Sequence, residues 1–204
     1  MRTPPIGLLV KNYRLEQNMS SKNNLLKLLA SAAMLSVTQL GFAADDTLID
    51  GAYGEFATGT KTQMIRAGIT SNWRSRWFDS NGTHLSGYWD VSVGAWRGNR
   101  HQNIPGATQN LFDVGFTPVF RFQRDDKKGF YFEAGIGLHY LSKLYDNDGN
   151  QLSTHFQFGD HLGIGYVLDK QWAVGMKIQH FSNGGFRKPN SGVNFLNLKA
   201  SYRF

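Results

Sequence analysis

From about residue 49 onward, the chain consists of segments in which apolar and polar residues alternate, separated by residues typical of turns. Successive side chains of a β-strand point to opposite faces, so this alternation predicts strands with one apolar and one polar face. The segment 130–140 is a clear example: its even positions are apolar, and its odd positions include Glu133 and His139. The expected strands span residues 49–58, 62–78, 84–97, 110–124, 129–142, 154–168, 171–183 and 193–204.

The number and length of these segments indicate a membrane barrel. Strands of soluble proteins average about 5–6 residues, whereas a tilted strand that crosses a bilayer needs about 9–11. Eight is the smallest usual strand count of an outer-membrane barrel. We therefore expect an all-β fold, an eight-stranded antiparallel transmembrane outer-membrane β-barrel with an apolar exterior and a polar interior. A soluble lipocalin-like barrel, with its apolar face inward, is the alternative.

The same pattern assigns individual side chains. Polar residues expected inside the barrel are Arg66, Arg74, Arg121, Glu133 and Lys177. Aromatic residues expected in girdles at the membrane interfaces are Trp73, Trp77, Trp96 and Trp172. The chain ends on Phe204, and a terminal aromatic residue is typical of bacterial outer-membrane barrels. With both termini on the periplasmic side, the connections 98–109, 143–153 and 184–192 are expected outside the cell.

The N-terminus has the three parts of a secretory signal. A short basic segment with Lys22 and Lys27 precedes an apolar run from Leu25 to Phe42, and small residues precede a cleavage site after Ala43. A transmembrane helix is the competing interpretation, but polar residues interrupt the run. We expect residues 1–43 to be an N-terminal extension and signal peptide, with translation starting at Met19, and residues 44–204 to be the barrel domain.

Composition and charge narrow the function. Without residues 1–43 the formal net charge falls from +7 to +3, because five basic residues and Glu16 are removed. Nucleic acid is therefore not expected as a partner, whereas a modest excess of cations suits a membrane surface that carries phosphorylated lipids. The chain has no cysteine, which excludes disulfides and thiol catalysis.

Two residues on the expected seventh strand could carry ester chemistry. His180 and Ser182 share a face because they are two positions apart, and that face continues the apolar positions of Trp172 to Ile178. A polar pair facing lipid is costly unless it has partners or a purpose, although polar residues cost little where a strand leaves the bilayer. The pair is either a base and a nucleophile or the polar end of the strand.

The residues from His180 to Gly192 resemble the active-site region of the bacterial outer-membrane lipid A 3-O-deacylases. The family's His-x-Ser-Asn motif stands here as His180, Ser182 and Asn183, and its Pro-Asn-x-Gly turn includes Asn190. The resemblance implies an eight-stranded barrel that hydrolyses the 3-linked acyl ester of lipid A. It implies His180 as general base, Ser182 as nucleophile, and Asn190 and the Gly185 N–H as oxyanion donors, with Asn183 beside them in the substrate-binding region. It implies no cofactor.

The sequence departs from the family at one position. The glutamate expected after the Pro-Asn-x-Gly turn, which would orient the histidine, is replaced by Asn194. A hairpin centred near Arg187 would place Asn194 opposite His180, where its oxygen could accept from the imidazole. Asp160 is a second candidate, because a turn at 169–171 would set it across from His180 on the other side. A slip of one residue would turn Asp160 to the opposite face.

The remaining residues give no competing site. The histidines lack the spacing of a metal-binding motif, so no metal is expected, and Asp146 to Asn150 are expected to form a plain turn. Arg187 and Lys188 are either contacts for lipid A phosphates or ordinary loop residues. The expected partners are lipopolysaccharide as substrate and membrane lipids, in a monomer or homodimer. An inactive barrel that binds or stabilises the lipopolysaccharide leaflet is the main alternative to the enzyme.

Overall fold

The computed structural model describes residues 48–204, so the signal peptide, its cleavage site and the start at Met19 lie outside the described residues. The strands are β1 (Gly51–Gly59), β2 (Thr62–Asn72), β3 (Trp77–Ser80), β4 (Thr83–Gly98), β5 (Gln109–Arg124), β6 (Gly129–Leu141), β7 (Asp146–Asn147), β8 (Asn150–Gln151), β9 (Phe156–Val167), β10 (Trp172–Ser182) and β11 (Val193–Arg203). No helix within residues 48–204 is long and apolar enough to cross a membrane.

Eight strands form a closed antiparallel barrel. Their order is β2-β1-β11-β10-β9-β6-β5-β4, and pairing of β2 with β4 closes the ring. Gly51 pairs with Arg203, which puts both ends of the described chain at one end of the barrel. We call the opposite end the upper end; the connections 98–109, 141–156 and 182–193 lie there. The predicted eight-stranded all-β fold is confirmed.

The faces of the barrel follow the alternation. Apolar residues cover the outside; for example, Phe132, Ile136 and Leu162 are each more than half exposed. The inside holds buried ion pairs centred on Arg66, which lies 3.3 Å from Glu55 and 3.2 Å from Asp113. An exposed apolar band around a charged interior is the pattern of a barrel surrounded by lipid, and it contradicts the lipocalin-like alternative.

The expected strand 62–78 is the main error in the predicted elements. β2 ends at Asn72, and Trp73 folds onto the outside of the barrel over Gly87, where any Cβ would lie 2.3 Å from the indole. The Trp73 ring packs edge-on against Trp89 and Phe120, at 5.4 and 4.9 Å between centroids. Arg74 consequently lies in an exposed connection rather than inside the barrel.

Two further details concern Trp96 and the upper connection 143–153. Trp96 is 2% exposed and donates from Nε1 to Asp113 at 2.7 Å inside the barrel, so it is not part of an aromatic girdle. The upper connection 143–153 contains the short hairpin β7–β8, with Asp148 and Gly149 at positive φ in its turn. The expected plain turn at 146–150 is therefore correct.

Candidate active site

The candidate site lies on the outer face of β10 near the upper end. In the antiparallel ladder His180 pairs with Asn194 on β11 and with Asp160 on β9. Both pairings agree with the predicted registers. Residues directly opposite each other in neighbouring strands point to the same face, so the three polar side chains form a row across β9, β10 and β11. Ser182 lies two residues above His180 and pairs with Phe158.

The inward-facing neighbours of this row hold the strands in place. Phe181, Val193 and Phe195 are at most 3% exposed and belong to the apolar cluster that fills the upper end of the barrel. One position lower, Gln179 accepts from Arg66 at 2.8 Å and from Asn197 at 3.2 Å. The backbone beneath His180 is thus fixed by close packing on one side and by a buried hydrogen-bond network on the other.

The imidazole of His180 is hydrogen-bonded to Asn194. Its Nδ1 lies 2.7 Å from Oδ1 of Asn194. An amide oxygen only accepts hydrogen bonds, so Nδ1 donates, and in the neutral ring the lone pair is on Nε2. The histidine is therefore held in the tautomer that a general base needs. Asp160 and His180 line the same depression on the outer face, but the hydrogen bond of the imidazole is to Asn194.

Gly192 packs against this ring. A Cβ at Gly192 would lie 2.5 Å from Cε1 of His180, and the residue has a φ of +75°. Only glycine adopts that backbone readily while leaving room for the imidazole. The glycine of the Pro-Asn-x-Gly turn therefore limits the position of the ring at Cε1, in addition to the hydrogen bond from Nδ1 to Asn194.

The side chain of Asn183 holds the loop between β10 and β11 in place through hydrogen bonds. Asn183 is 2% exposed, and its Nδ2 donates to the Arg187 carbonyl at 2.7 Å and to Ser153 Oγ at 3.3 Å. Its Oδ1 accepts from the Gly185 N–H at 3.0 Å. The side chain predicted to lie near substrate is thus engaged within the loop, and so is one of the two predicted oxyanion donors.

Asn190 and Gly184 supply the other polar groups near Ser182. Oδ1 of Asn190 accepts from the Asn183 N–H at 3.0 Å, which orients the amide so that its Nδ2 is the group able to donate elsewhere. The Gly184 N–H lies 3.4 Å from Oγ of Ser182. The sequence did not single out Ser153, and it assigned no separate role to the Gly184 N–H. Only the loop conformation, with positive φ at Gly184 and Gly185, brings them to the site.

An apolar depression extends from the His180 row over the outer surface. Its lining includes Ile178, Leu162, Ile136, Ala134 and Leu196. No cluster of three or more potential metal ligands occurs among residues 48–204. The arrangement is an oriented base, a hydroxyl on the same strand face, backbone and amide donors, and an apolar surface beside them. These are the kinds of group that acyl transfer requires.

Fold and site together define an outer-membrane barrel enzyme. A family profile described as lipid A 3-O-deacylase (PagL) matches residues 63–203. The lipid A deacylase PagL of Pseudomonas aeruginosa is 33% identical over 176 residues, which cover 85% of this chain and 95% of that protein. The lipid A deacylase PagL of Bordetella bronchiseptica is 38% identical over 95 residues, which cover 47% of this chain and 52% of that protein.

One solved structure agrees. The crystal structure of the outer membrane enzyme PagL aligns with a TM-score of 0.65 and 25% identity, covering 74% of this chain and 97% of that one. The chain belongs to the lipid A 3-O-deacylase (PagL) family. The predicted family, the ester hydrolase class and the outer-membrane location are thereby confirmed.

Proposed function

We propose that the chain hydrolyses the ester-linked acyl chain at the 3-position of lipid A, with Ser182 as nucleophile and His180 as general base, on the lipid-facing side of the barrel at the outer leaflet. Family membership supports the substrate and the reaction class. The observation that carries the mechanism is the 2.7 Å hydrogen bond from His180 Nδ1 to Asn194. It leaves Nε2 able to accept a proton from the hydroxyl on the same strand face.

The chemistry follows from these positions. Nε2 of His180 takes the proton of Ser182 as Oγ attacks the ester carbonyl, because a serine hydroxyl is a weak nucleophile without a base. The tetrahedral intermediate collapses with loss of the 3-oxygen of the sugar, which receives the proton from Nε2. Water, deprotonated by the same nitrogen, then attacks the acyl-enzyme, releasing the fatty acid and restoring Ser182.

The developing oxyanion needs donors that are already in place. We assign this role to Nδ2 of Asn190 and to the backbone N–H groups of Gly184 and Gly185. Oδ1 of Asn190 is held by the Asn183 N–H, which orients Nδ2. The Gly185 N–H donates to Asn183 Oδ1 in the free enzyme and exchanges this partner for the oxyanion. Asn183 acts as the side chain that positions the loop.

The third member of the triad is Asn194 in our proposal. A neutral amide fixes the tautomer and orientation of His180, but it stabilises the imidazolium less than a carboxylate does, because it has no negative charge to attract the charged ring. Asp160 flanks His180 on β9 and is the nearest acid across the ladder. We assign Asp160 to the stabilisation of the imidazolium charge through the low-dielectric outer face, without a direct hydrogen bond.

The test is mass spectrometry of lipid A from cells that produce the wild-type chain, Ser182→Ala or His180→Ala. We expect loss of one 3-linked acyl chain with the wild type and intact lipid A with both variants. Heat-modifiable migration in detergent gels controls for folding of each variant. Deacylated lipid A with Ser182→Ala would remove Ser182 as the nucleophile.

An inactive barrel that binds the lipopolysaccharide leaflet is the second candidate. The observation that favours it is the absence of a carboxylate at position 194, where the family's glutamate is expected. The same experiment separates the two: intact lipid A with the folded wild-type chain, followed by gain of activity in Asn194→Glu, would identify a barrel that has lost its acid.

We also propose that the working enzyme comprises residues 44–204. The basic and apolar segments before Ala43 support removal of a signal peptide. N-terminal sequencing of the precursor tests the start at Met19, and sequencing of the outer-membrane form tests cleavage after Ala43.

A further inference from the structure

A second apolar pocket lies beside Ser182, separate from the depression next to His180. We call it the β6–β9 pocket; it is lined by Leu138, Tyr140, Leu144, Phe156, Phe158 and Phe186. Its volume of about 670 Å³ is typical of a pocket for a small-molecule or lipid ligand. The mechanism proposed above uses none of these six side chains.

The strand registers connect this pocket to the nucleophile. Ser182 pairs with Phe158 on β9, and Phe158 pairs with Leu138 on β6. The pocket therefore extends sideways from Ser182 at the same height in the barrel. The depression that contains Ile136 and Leu162 begins one ladder step lower, at Asp160. Ser182 consequently stands where two apolar surfaces meet.

The walls of the pocket are held by specific contacts. Phe186 reaches over from the β10–β11 loop to Phe158, with 6.2 Å between ring centroids. The carbonyl of Arg187 accepts from Ser153 Oγ at 2.9 Å and from Asn183 Nδ2 at 2.7 Å, which ties this loop to the connection before β9. Phe186 is 84% exposed, so the ring is available to a ligand rather than used in the core.

The polarity of the pocket changes with height. Leu138 and Phe158 form its lower part, whereas Ser153, His155 and Arg187 line the upper rim. An apolar floor below a polar, cationic rim matches a lipid at the level where its acyl chains join a phosphorylated sugar.

We propose that the β6–β9 pocket binds an acyl chain that stays attached to lipid A while the 3-linked chain is cleaved. This inference rests on the proposed function. Lipid A carries several chains on one headgroup, so a scissile ester held at Ser182 brings a neighbouring chain within a sugar's width of the nucleophile. The 3-linked chain that is cleaved lies in the depression beside His180, and the retained chain occupies the β6–β9 pocket. Recognition of two chains at once selects a multiply acylated glycolipid over single-chain esters.

The experiment compares two substrates that share the scissile bond. One is hexa-acylated lipid A, and the other is a glucosamine that carries a single 3-linked acyl chain. Leu138→Trp fills the pocket, and Val93→Trp is the matched control, because both residues are 55% exposed on the outer face and Val93 lies outside both apolar surfaces. Phe186→Ala removes the exposed upper wall without touching the core.

We expect the wild type to prefer lipid A by kcat/KM. Leu138→Trp and Phe186→Ala should lower this preference by about tenfold, in line with the selectivity of apolar pockets. The change should come from a lower kcat/KM for lipid A, with kcat/KM for the single-chain substrate unchanged. Val93→Trp should leave the preference unchanged. A wild type without preference, or pocket variants that keep the wild-type ratio, would overturn the inference. Failure of the proposed function looks different, because the folded wild type would then hydrolyse neither substrate, or Ser182→Ala would hydrolyse both.

Discussion

Replacement of Gly192 by alanine tests whether the position of the His180 ring controls turnover. A Cβ at Gly192 would lie 2.5 Å from Cε1 and 3.2 Å from Nε2 of His180. Carbon atoms in normal contact are about 3.5–4.0 Å apart, so the ring must retreat by about 1 Å. That movement stretches the 2.7 Å bond to Asn194 and turns Nε2 away from the orientation that this bond sets.

The expected effect on catalysis is large compared with the effect on stability. Misplacement of a reacting group by about 1 Å can reduce the rate by about 10²-fold. The φ of +75° at Gly192 adds backbone strain to the variant, with a destabilisation of about 1–2 kcal/mol. We expect Gly192→Ala to fold and to lose about two orders of magnitude in kcat on lipid A.

Gly106→Ala is the matched control for backbone strain. Gly106 has a φ of +80°, and a Cβ there would meet no atom within 4 Å. Deacylation is followed by mass spectrometry of lipid A over time, and stability by thermal or urea unfolding in the same detergent. Both variants should lose similar stability, but only Gly192→Ala should lose turnover. Equal turnover in the two variants would refute the reasoning that the ring position is set by this contact.

Three further predictions concern the polar groups. Asn194→Ala should lower kcat on lipid A by about 10²-fold, because the imidazole loses its hydrogen-bond partner. Asn194→Glu should raise kcat by about tenfold through a charge-assisted bond. Full activity in both Asn194→Ala and Asp160→Ala would remove both residues from the mechanism. Asn190→Ala should lower kcat by about 10²–10³-fold with little change in KM, and an effect on KM alone would assign it to binding. Arg66→Leu leaves Asp113 without its buried guanidinium partner and should cost about 3–5 kcal/mol in urea unfolding; an unchanged midpoint would contradict this role.

The sequence predicted the strand face of the candidate residues and their pairing across the ladder, because both depend only on parity and register. A period of two placed His180, Ser182, Asp160 and Asn194 on one face, and short turns set which residues meet across the ladder. The conformation of the β10–β11 loop could not be predicted in this way. Its glycines permit many backbone paths, so the engagement of the Gly185 N–H by Asn183 became visible only in the folded loop.

Two errors have the same physical origin. Trp96 was expected in a girdle at a membrane interface, because aromatic residues near strand ends are common there, and Trp73 was expected to continue the strand 62–78. Trp96 instead turns inward to Asp113, and the chain leaves the strand at Trp73, whose ring covers Gly87 on the outside of the barrel. Each side chain is placed by a partner more than ten residues away, and alternation within one strand carries no information about such a partner.

The sequence by itself determined the barrel, its strand count and the face on which the candidate residues lie. It could do so because a bilayer requires every strand to be long, paired and apolar on the outside. The tertiary structure alone decided how the site is assembled: the contact of Gly192 with the imidazole, the anchoring of the loop through Asn183, and the pocket beside Ser182. The first two features depend on the conformation of the β10–β11 loop, and the third depends on the packing of that loop over β6 and β9. Alternation within a single strand carries information about neither.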